Sequence, residues 1–355
     1  MSRNNQGTEK RESSIEIASR PQFSAADVRS VLQEQYDLDG ELRALVSERD
    51  QNFRVKNNDG RCYVFKIANA AEPEDVTDFQ IQTLLHIENA GCPVATPRII
   101  RTVAGAVATK IGDGSGECVC RIVSYVPGIP FSTVEPNARL AADLGASAAA
   151  LDNSLLGFEH DADQHLLLWH MQRATELRDL LANIANIDLR NMVGTCLDDF
   201  ERNVLPMHSS LRSQVIHGDL NPDNVLVAQT CPDSIAGVID FGDIVHGPMI
   251  FEVAIAASYL RVKEDPPALI APFVAGFDKV TTLEAVELEL LFDLVRTRLA
   301  ASITIEHWRR AIRGENDPYV QAYLQSERSV EHFLACLDSM TRRPFTDSIL
   351  QACRR

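Results

Sequence analysis

The spacing of hydrophobic and polar positions changes partway along this chain. Between residues 41 and 124 apolar positions come in short alternating runs, such as YVFKI at 63–67 and ECVCRIV at 117–123. Alternation with a period of two is what a strand with one buried face requires. It predicts strands near 41–56, 61–67, 98–103, 106–111 and 117–124, preceded by a helix capped by Ser24. The glycine-rich cluster IGDGSGE at 111–117 lies between two such runs and predicts a hairpin turn. One segment of this half departs from alternation. Val76, Phe79, Leu84, Leu85 and Ile87 recur at helical spacing, and Gly91 followed by Pro93 supplies a stop.

Beyond residue 128 the period lengthens to that of helices. Amphipathic segments are predicted at about 136–155, 164–184, 187–204, 248–262, 267–278, 282–313 and 317–340. Between them lie short fully apolar runs, Val215-Ile216, Val225 to Val227 and Val238-Ile239, which read as buried strands with polar clusters at their ends. The expected fold class is therefore α+β. A small β-rich lobe over 21–123 is followed by a larger helical lobe over 124–355, and the polar segment 1–20 forms a disordered tail.

Composition narrows this picture. At 355 residues the chain is too long for one small core and suits two lobes sharing a cleft. The 34 basic and 50 acidic residues give a formal charge of −16, which disfavours nucleic acid and anionic membrane as partners. Eight scattered cysteines without a C-x-x-C pair argue against structural zinc or a disulfide framework. The lack of a signal segment or a membrane-length apolar run leads us to expect a cytoplasmic protein.

The polar clusters carry the chemistry. VIHGDLNPDNVLV at 215–227 contains H-x-D-L-x-x-x-N, and GVIDFGD at 237–243 contains D-F-G, the two segments that supply base and metal ligands in a kinase site. In that pattern Asp219 accepts the proton of the attacking hydroxyl, while Asn224 and Asp240 hold magnesium. Phosphoryl transfer also needs a cation on the nucleotide phosphates. Lys66, in the strand YVFKI, has the place of the lysine in V-A-I-K. The segment Glu48–Val55 (ERDQNFRV) would be the phosphate-covering loop, but it lacks glycine, so Asp50, Gln51 and Asn52 are the candidate polar contacts. Kinases pair the strand lysine with a glutamate on the following helix. Here Gln80 stands near that position with Asp78 close by, and either could partner Lys66.

Together these motifs resemble the aminoglycoside phosphotransferase and choline kinase superfamily, with a match covering roughly residues 22–310. Gly218 stands where protein kinases carry the arginine of H-R-D, and no A-P-E follows Phe241. Within the superfamily the chain is most similar to the hydroxylysine kinases, through DQNF (50–53), AGCP (90–93), SYVPG (124–128), HGDLNPDN (217–224) and IDFGDIVHGPMIFEVA (239–254). The resemblance implies a protein-kinase-like fold and Mg2+. It also implies GTP or ATP as co-substrate, with GTP favoured, and an amine-bearing alcohol as acceptor, foremost 5-hydroxy-L-lysine. Choline, ethanolamine and aminoglycosides are alternative acceptors.

In that frame SYVPG is the hinge, where backbone groups of 122–126 meet the purine. Glu252 supports the back of the catalytic loop, and His217 is a packed, hydrogen-bonded residue that fixes it. Asp243 is either a further metal or substrate contact or a turn cap. Arg296 and Arg298, on an apolar helix over 289–303, are candidates for interhelical ion pairs or for clamping a substrate carboxylate, and Trp169 or Trp308 could wall the pocket. A non-catalytic pseudokinase module is the reading from a different class. Intact Lys66, Asp219, Asn224 and Asp240 count against it.

Overall fold

A computed structural model of the protein describes residues 18–112, 116–261, 265–324 and 327–353. The described residues form two compact units, the first within 18–91, 95–126 and 159–167, and the second within 92–94, 127–158 and 168–353.

The first unit is built on an antiparallel sheet. Its strands are β1 (Gly40–Leu45), β2 (Gln51–Asn57), β3 (Cys62–Ile67), β4 (Ile99–Ile100), β5 (Thr109–Gly112) and β6 (Glu117–Ser124). Their order is β1-β2-β3-β6-β4, with β5 paired to β6. Helix α1 (Ala25–Tyr36) starts at a capping box in which Ser24 and Asp27 satisfy each other's backbone N–H. Its apolar stripe, Val28, Leu32 and Tyr36, closes a core with Phe53, Val55, Phe65, Ile67, Cys120 and Ile122. Helix α2 (Glu74–Ala90) carries two carboxylates in its first turn and ends at Gly91 in the left-handed conformation.

Two strand expectations change here. The run expected over 41–56 is two strands broken at 46–50, so Gln51–Val55 is strand rather than loop. Of the strand expected at 98–103 only Ile99–Ile100 forms, because Thr102 turns back to bond Ala106. β5 and β6 pair with Gly112 opposite Glu117, and residues 113–115 of the expected turn lie outside the described residues. Residues 159–167, read from sequence as part of the second lobe, group with the first unit. His160 stacks on Phe79 and bonds Asp78, and His165 meets Phe79 edge-on.

The second unit is mainly helical. Helices α3 (Ala138–Ser154), α4 (Ile187–Asp199), α5 (Met249–Ser258), α6 (Ile270–Val280) and α7 (Ala285–Arg313) are followed by α8 (Pro318–Leu324), α9 (Glu327–Ser339) and α10 (Arg342–Ala352). The expected helix over 164–184 is instead a series of 3-10 turns at Met171–Asn183. Its buried residues Met171, Ala174 and Leu177 are spaced by three, matching three residues per turn.

Helices α3 and α6 cross at two glycines. A Cβ on Gly145 would lie 2.0 Å from the Phe273 carbonyl oxygen, and one on Gly276 would lie 2.0 Å from that of Ala142. Because backbone sits on both sides, neither can yield by a rotamer change. Gly276→Val is therefore expected to destabilise the protein by about 3 kcal/mol or more, seen as a lower urea midpoint. An unchanged midpoint would show that the helices separate without cost.

Four short strands carry the polar clusters. β8 (Ser213–Ile216) pairs with β11 (Val245–Pro248), and β9 (Val225–Ala228) pairs with β10 (Cys231–Val238) and with β7 (Ile129–Pro130). The loop 217–224 runs from the end of β8 to the start of β9, and the loop 239–244 runs from the end of β10 to the start of β11. These pairings bring the two loops side by side.

Candidate active site

Two hydrogen bonds join the two loops. The Ile239 N–H donates to the Asn224 carbonyl at 2.8 Å. His217 is fully buried, accepts the Asp219 N–H on Nδ1 (3.2 Å) and donates from Nε2 to the Ile239 carbonyl (3.1 Å). This fixes the imidazole as the neutral Nε2–H tautomer, and its ring meets Phe241 edge-on at 4.7 Å. His217 is thus a packed pin between the loops.

Gly218 has φ +76, and a Cβ there would fall 2.4 Å from the Asp243 carbonyl oxygen. No larger residue fits where the two loops approach. The Gly218 N–H donates at 2.8 Å to Glu252 Oε2, a completely buried carboxylate from the first turn of α5. Burial pushes the Glu252 carboxyl up, while the hydrogen bond from the Gly218 N–H draws it down.

Asp219 is the centre of this arrangement. Its Oδ2 accepts the side-chain amides of Asn221 (2.7 Å) and Asn224 (2.8 Å), and its Oδ1 faces the Arg298 guanidinium at 3.3 Å. Burial pushes its carboxyl up to about 7, assisted by the charges of Asp243 and Asp240 and opposed by Arg298 and Asn221. A carboxylate with that affinity is suited to taking a proton near neutral pH. Asn221 also caps the loop, its Oδ1 accepting the N–H groups of Asp223 and Asn224.

Asn224 donates both its amide bonds to Asp219, to the carbonyl (3.0 Å) and to Oδ2, which turns its own Oδ1 away from them. Asp240 is exposed and holds φ +62, a strained conformation that only a few non-glycine residues adopt. One amide oxygen and one carboxylate are hard donors suited to Mg2+, which binds through one or two carboxylates plus substrate phosphates. Among the described residues no group of three or more His, Cys, Asp or Glu is placed to hold a metal ion.

Arg298 differs from its sequence reading. It is 1% exposed, and its guanidinium bonds the Trp169 carbonyl (3.2 Å), the Tyr259 hydroxyl (3.3 Å) and Asp219, lying 4.8 Å over the Trp169 ring. It is therefore not available as a clamp for a substrate carboxylate. Half-buried Trp169 packs on that guanidinium. Arg296 is an interhelical ion-pair residue, bonded to Asp199 and Asp338 at 2.7 Å each.

In the first unit, Lys66 on β3 stands directly opposite Asn52 on β2 and Arg121 on β6. Two of the proposed loop contacts are otherwise engaged. Both ends of the Gln51 amide bond the Phe23 backbone (2.8 and 3.0 Å), which pins the start of α1 to β2 and removes it as a phosphate contact. Asp50 accepts the Asn69 N–H at 3.2 Å, and buried Asn52 keeps an unpartnered Oδ1. Asp78 gives its oxygens to His160 (3.2 Å) and Gln82 (3.1 Å), so it does not act as the partner of Lys66.

Gln80 sits in a relay that sequence reading missed. Arg121 Nη2 donates to its Oε1, its Nε2 donates to Glu72 Oε1 (3.4 Å), and Glu72 Oε2 accepts the Thr77 hydroxyl (2.9 Å). The signal was faint: a lone arginine between Cys120 and Ile122, on the strand face opposite the core residues Cys118, Cys120 and Ile122. Burial and Asp50 push the Glu72 carboxyl up, while Arg49 and Arg121 draw it down.

Known proteins share this chain's pattern. A model of the phosphotransferase enzyme family matches residues 41–288, and the chain belongs to that family. Among its curated relatives, the hydroxylysine kinase of Danio rerio is 27% identical over 88% of this chain and 91% of its own. That of Bos taurus is 28% identical over 85% and 86%. The fold is shared with a microcompartment-associated aminopropanol kinase (TM-score 0.68, 15% identity, 93% of this chain and all of that one). It is also shared with an amicoumacin kinase solved with AMP-PNP and Ca2+ (TM-score 0.66, 16% identity, 87% and 94%). The protein is a phosphotransferase with an alcohol group as acceptor, on a protein-kinase-like α+β fold.

Proposed function

We propose that the protein transfers the γ-phosphoryl group of a magnesium-bound nucleoside triphosphate to the hydroxyl of a small amino alcohol, 5-hydroxy-L-lysine. The observation that carries this reading is Asp219, a carboxylate raised toward neutrality and held by Asn221, Asn224 and Arg298. In this role Asp219 takes the proton of the attacking hydroxyl, and Asn224 Oδ1 and Asp240 hold Mg2+. Held by these two residues, the ion would neutralise negative charge on the phosphates. Lys66 is assigned to the phosphates on the family resemblance. His217 and Glu252 hold the loop that carries the base.

The acceptor's class follows from charge and relatives. Asp219 has Asp240 and Asp243 as electrostatic neighbours, and this acidic surrounding favours a hydroxyl beside an ammonium. Hydroxylysine kinases align with 79–88% of the chain at 26–28% identity, and the aminopropanol kinase shares the fold. GTP as donor rests on the resemblance to hydroxylysine kinases, and an aminoglycoside 2'-phosphotransferase of this fold has been solved with GDP.

The test is steady-state turnover with Mg2+, GTP or ATP, and a panel of hydroxylysine, ethanolamine, choline and an aminoglycoside. The highest kcat/KM is expected for hydroxylysine with GTP. A preference for ethanolamine or choline would overturn the substrate while leaving the phosphotransferase reading in place.

A further inference from the structure

Arg298 combines near-complete burial with direct contact to the central carboxylate. It lies in the middle of α7, is 1% exposed, and meets Asp219 from 79 residues away in sequence. Burying a guanidinium costs several kcal/mol unless its donors and charge are matched. Here Nη2 serves Asp219 Oδ1 and the Tyr259 hydroxyl at 3.3 Å each, while Nη1 serves the Trp169 carbonyl at 3.2 Å. The Trp169 ring lies 4.8 Å from this guanidinium and 5.0 Å from that of Arg309. Arg309 is itself fully buried, bonded to Glu306 at 3.1 Å, and lies three turns further along the same helix. Trp169 is thus held by two cations of one rigid helix, and one of those cations reaches Asp219.

The remaining contacts of Asp219 show what this adds. Its Oδ2 is held only by amides of its own loop, Asn221 and Asn224. A carboxylate held through one oxygen retains torsional freedom, because its terminal torsion is broad and two-fold. Arg298 contacts the other oxygen from outside the loop. At 3.3 Å it orients Oδ1 without forming the short two-point pair that would consume its lone pairs.

Resting on the kinase reading above, we propose that Arg298 is a positioning residue for phosphoryl transfer: anchored on Trp169 and Tyr259, it fixes the plane of the Asp219 carboxylate so that Oδ1 is aimed at the acceptor hydroxyl. Its acceptors are shared between two separate nitrogens, Nη2 for Asp219 and Tyr259 and Nη1 for the Trp169 carbonyl, a spread that the single nitrogen of a lysine does not reproduce. A base rotated off line loses the advantage of alignment, and misplacement by about 1 Å can cost about 100-fold in rate.

The experiment is a double-mutant cycle on the full chain, measured with hydroxylysine, GTP and Mg2+. Arg298→Met is expected to lower kcat by about 10- to 100-fold with the nucleotide KM changed less than about two-fold, and Arg298→Lys to recover only part of the loss. In an Asp219→Asn background the same replacement should lower kcat by less than about two-fold, because a residue acting through Asp219 has nothing left to position. Tyr259→Phe keeps the ring and removes one anchor. It should lower kcat by a few-fold in the parent and not in the Asp219→Asn background, and it supplies the cycle if Arg298→Met does not fold. Equal losses in both backgrounds, tracking a lowered melting temperature, would overturn the proposal and make Arg298 a support of α7 alone. Parent protein with no magnesium-dependent turnover on any amino alcohol would overturn the kinase reading, and this inference with it.

Discussion

Asp219→Asn is expected to lower kcat by about two to four orders of magnitude, the usual contribution of a positioned general base, while nucleotide binding stays near the parent value. The substitution preserves the size of the side chain and one acceptor oxygen for the loop amides of Asn221 and Asn224. Asparagine turns one N–H toward existing donors, which costs stability. It also removes a buried negative charge that burial, Asp243 and Asp240 all oppose, and this offsets the cost.

The pH profile separates loss of the base from loss of the fold. The Asp219 carboxyl is raised from its ordinary value to about 7, and the base works only when ionised. The parent rate in kcat/KM should therefore rise as pH increases toward neutrality and level off above it, with bound metal moving the rise to lower pH. That limb should vanish in Asp219→Asn. A variant retaining more than half the parent rate, or one that keeps the limb, would remove Asp219 from this role.

The parts of the site legible in the sequence are those whose geometry is local. HGDLNPDN and IDFGD each run from the end of one strand to the start of the next. Spacing within each motif therefore sets where Asp219, Asn221, Asn224 and Asp240 stand relative to their own strands. The antiparallel pairings of β8 with β11 and β9 with β10 then place the two motifs together. Gly218 was legible as a departure from H-R-D, and its reason emerged only from the approach of the Asp243 carbonyl. What the sequence hid was non-local. Arg298 reaches Asp219 from α7 and bonds Tyr259 at the end of α5, and no spacing rule links positions 79 and 39 residues apart in a chain rich in arginine. In the first unit, an amide at position 80 left the partner of Lys66 undecided. The relay from Arg121 through Gln80 to Glu72 joins sheet to helix by a cation and an anion that motif matching does not seek. Gln51 and Asn52 were misplaced in a loop because the break between β1 and β2 falls at Val46–Asp50, in a polar run without glycine or proline.

Asp240→Asn is expected to have the next largest effect, raising the magnesium concentration for half-maximal rate by about tenfold or more and lowering kcat by about 100-fold. Asparagine is the informative replacement. Asp240 holds φ +62, which asparagine adopts at least as readily as aspartate and alanine does not, so Asp240→Ala would mix a backbone cost with loss of the ligand. What Asp240→Asn removes is the charge, the larger part of a carboxylate's hold on a hard divalent ion. Asn224→Ala should shift the titration in the same direction by less, since it deletes a neutral amide oxygen. It also frees Asp219 from one of its amide donors, so part of its kcat loss should persist at saturating metal. High magnesium should recover much of the Asp240→Asn rate, because the nucleotide phosphates still supply ligands of their own. The measurement is rate against free Mg2+ at fixed nucleotide, and curves for Asp240→Asn that overlay the parent's would place the metal elsewhere.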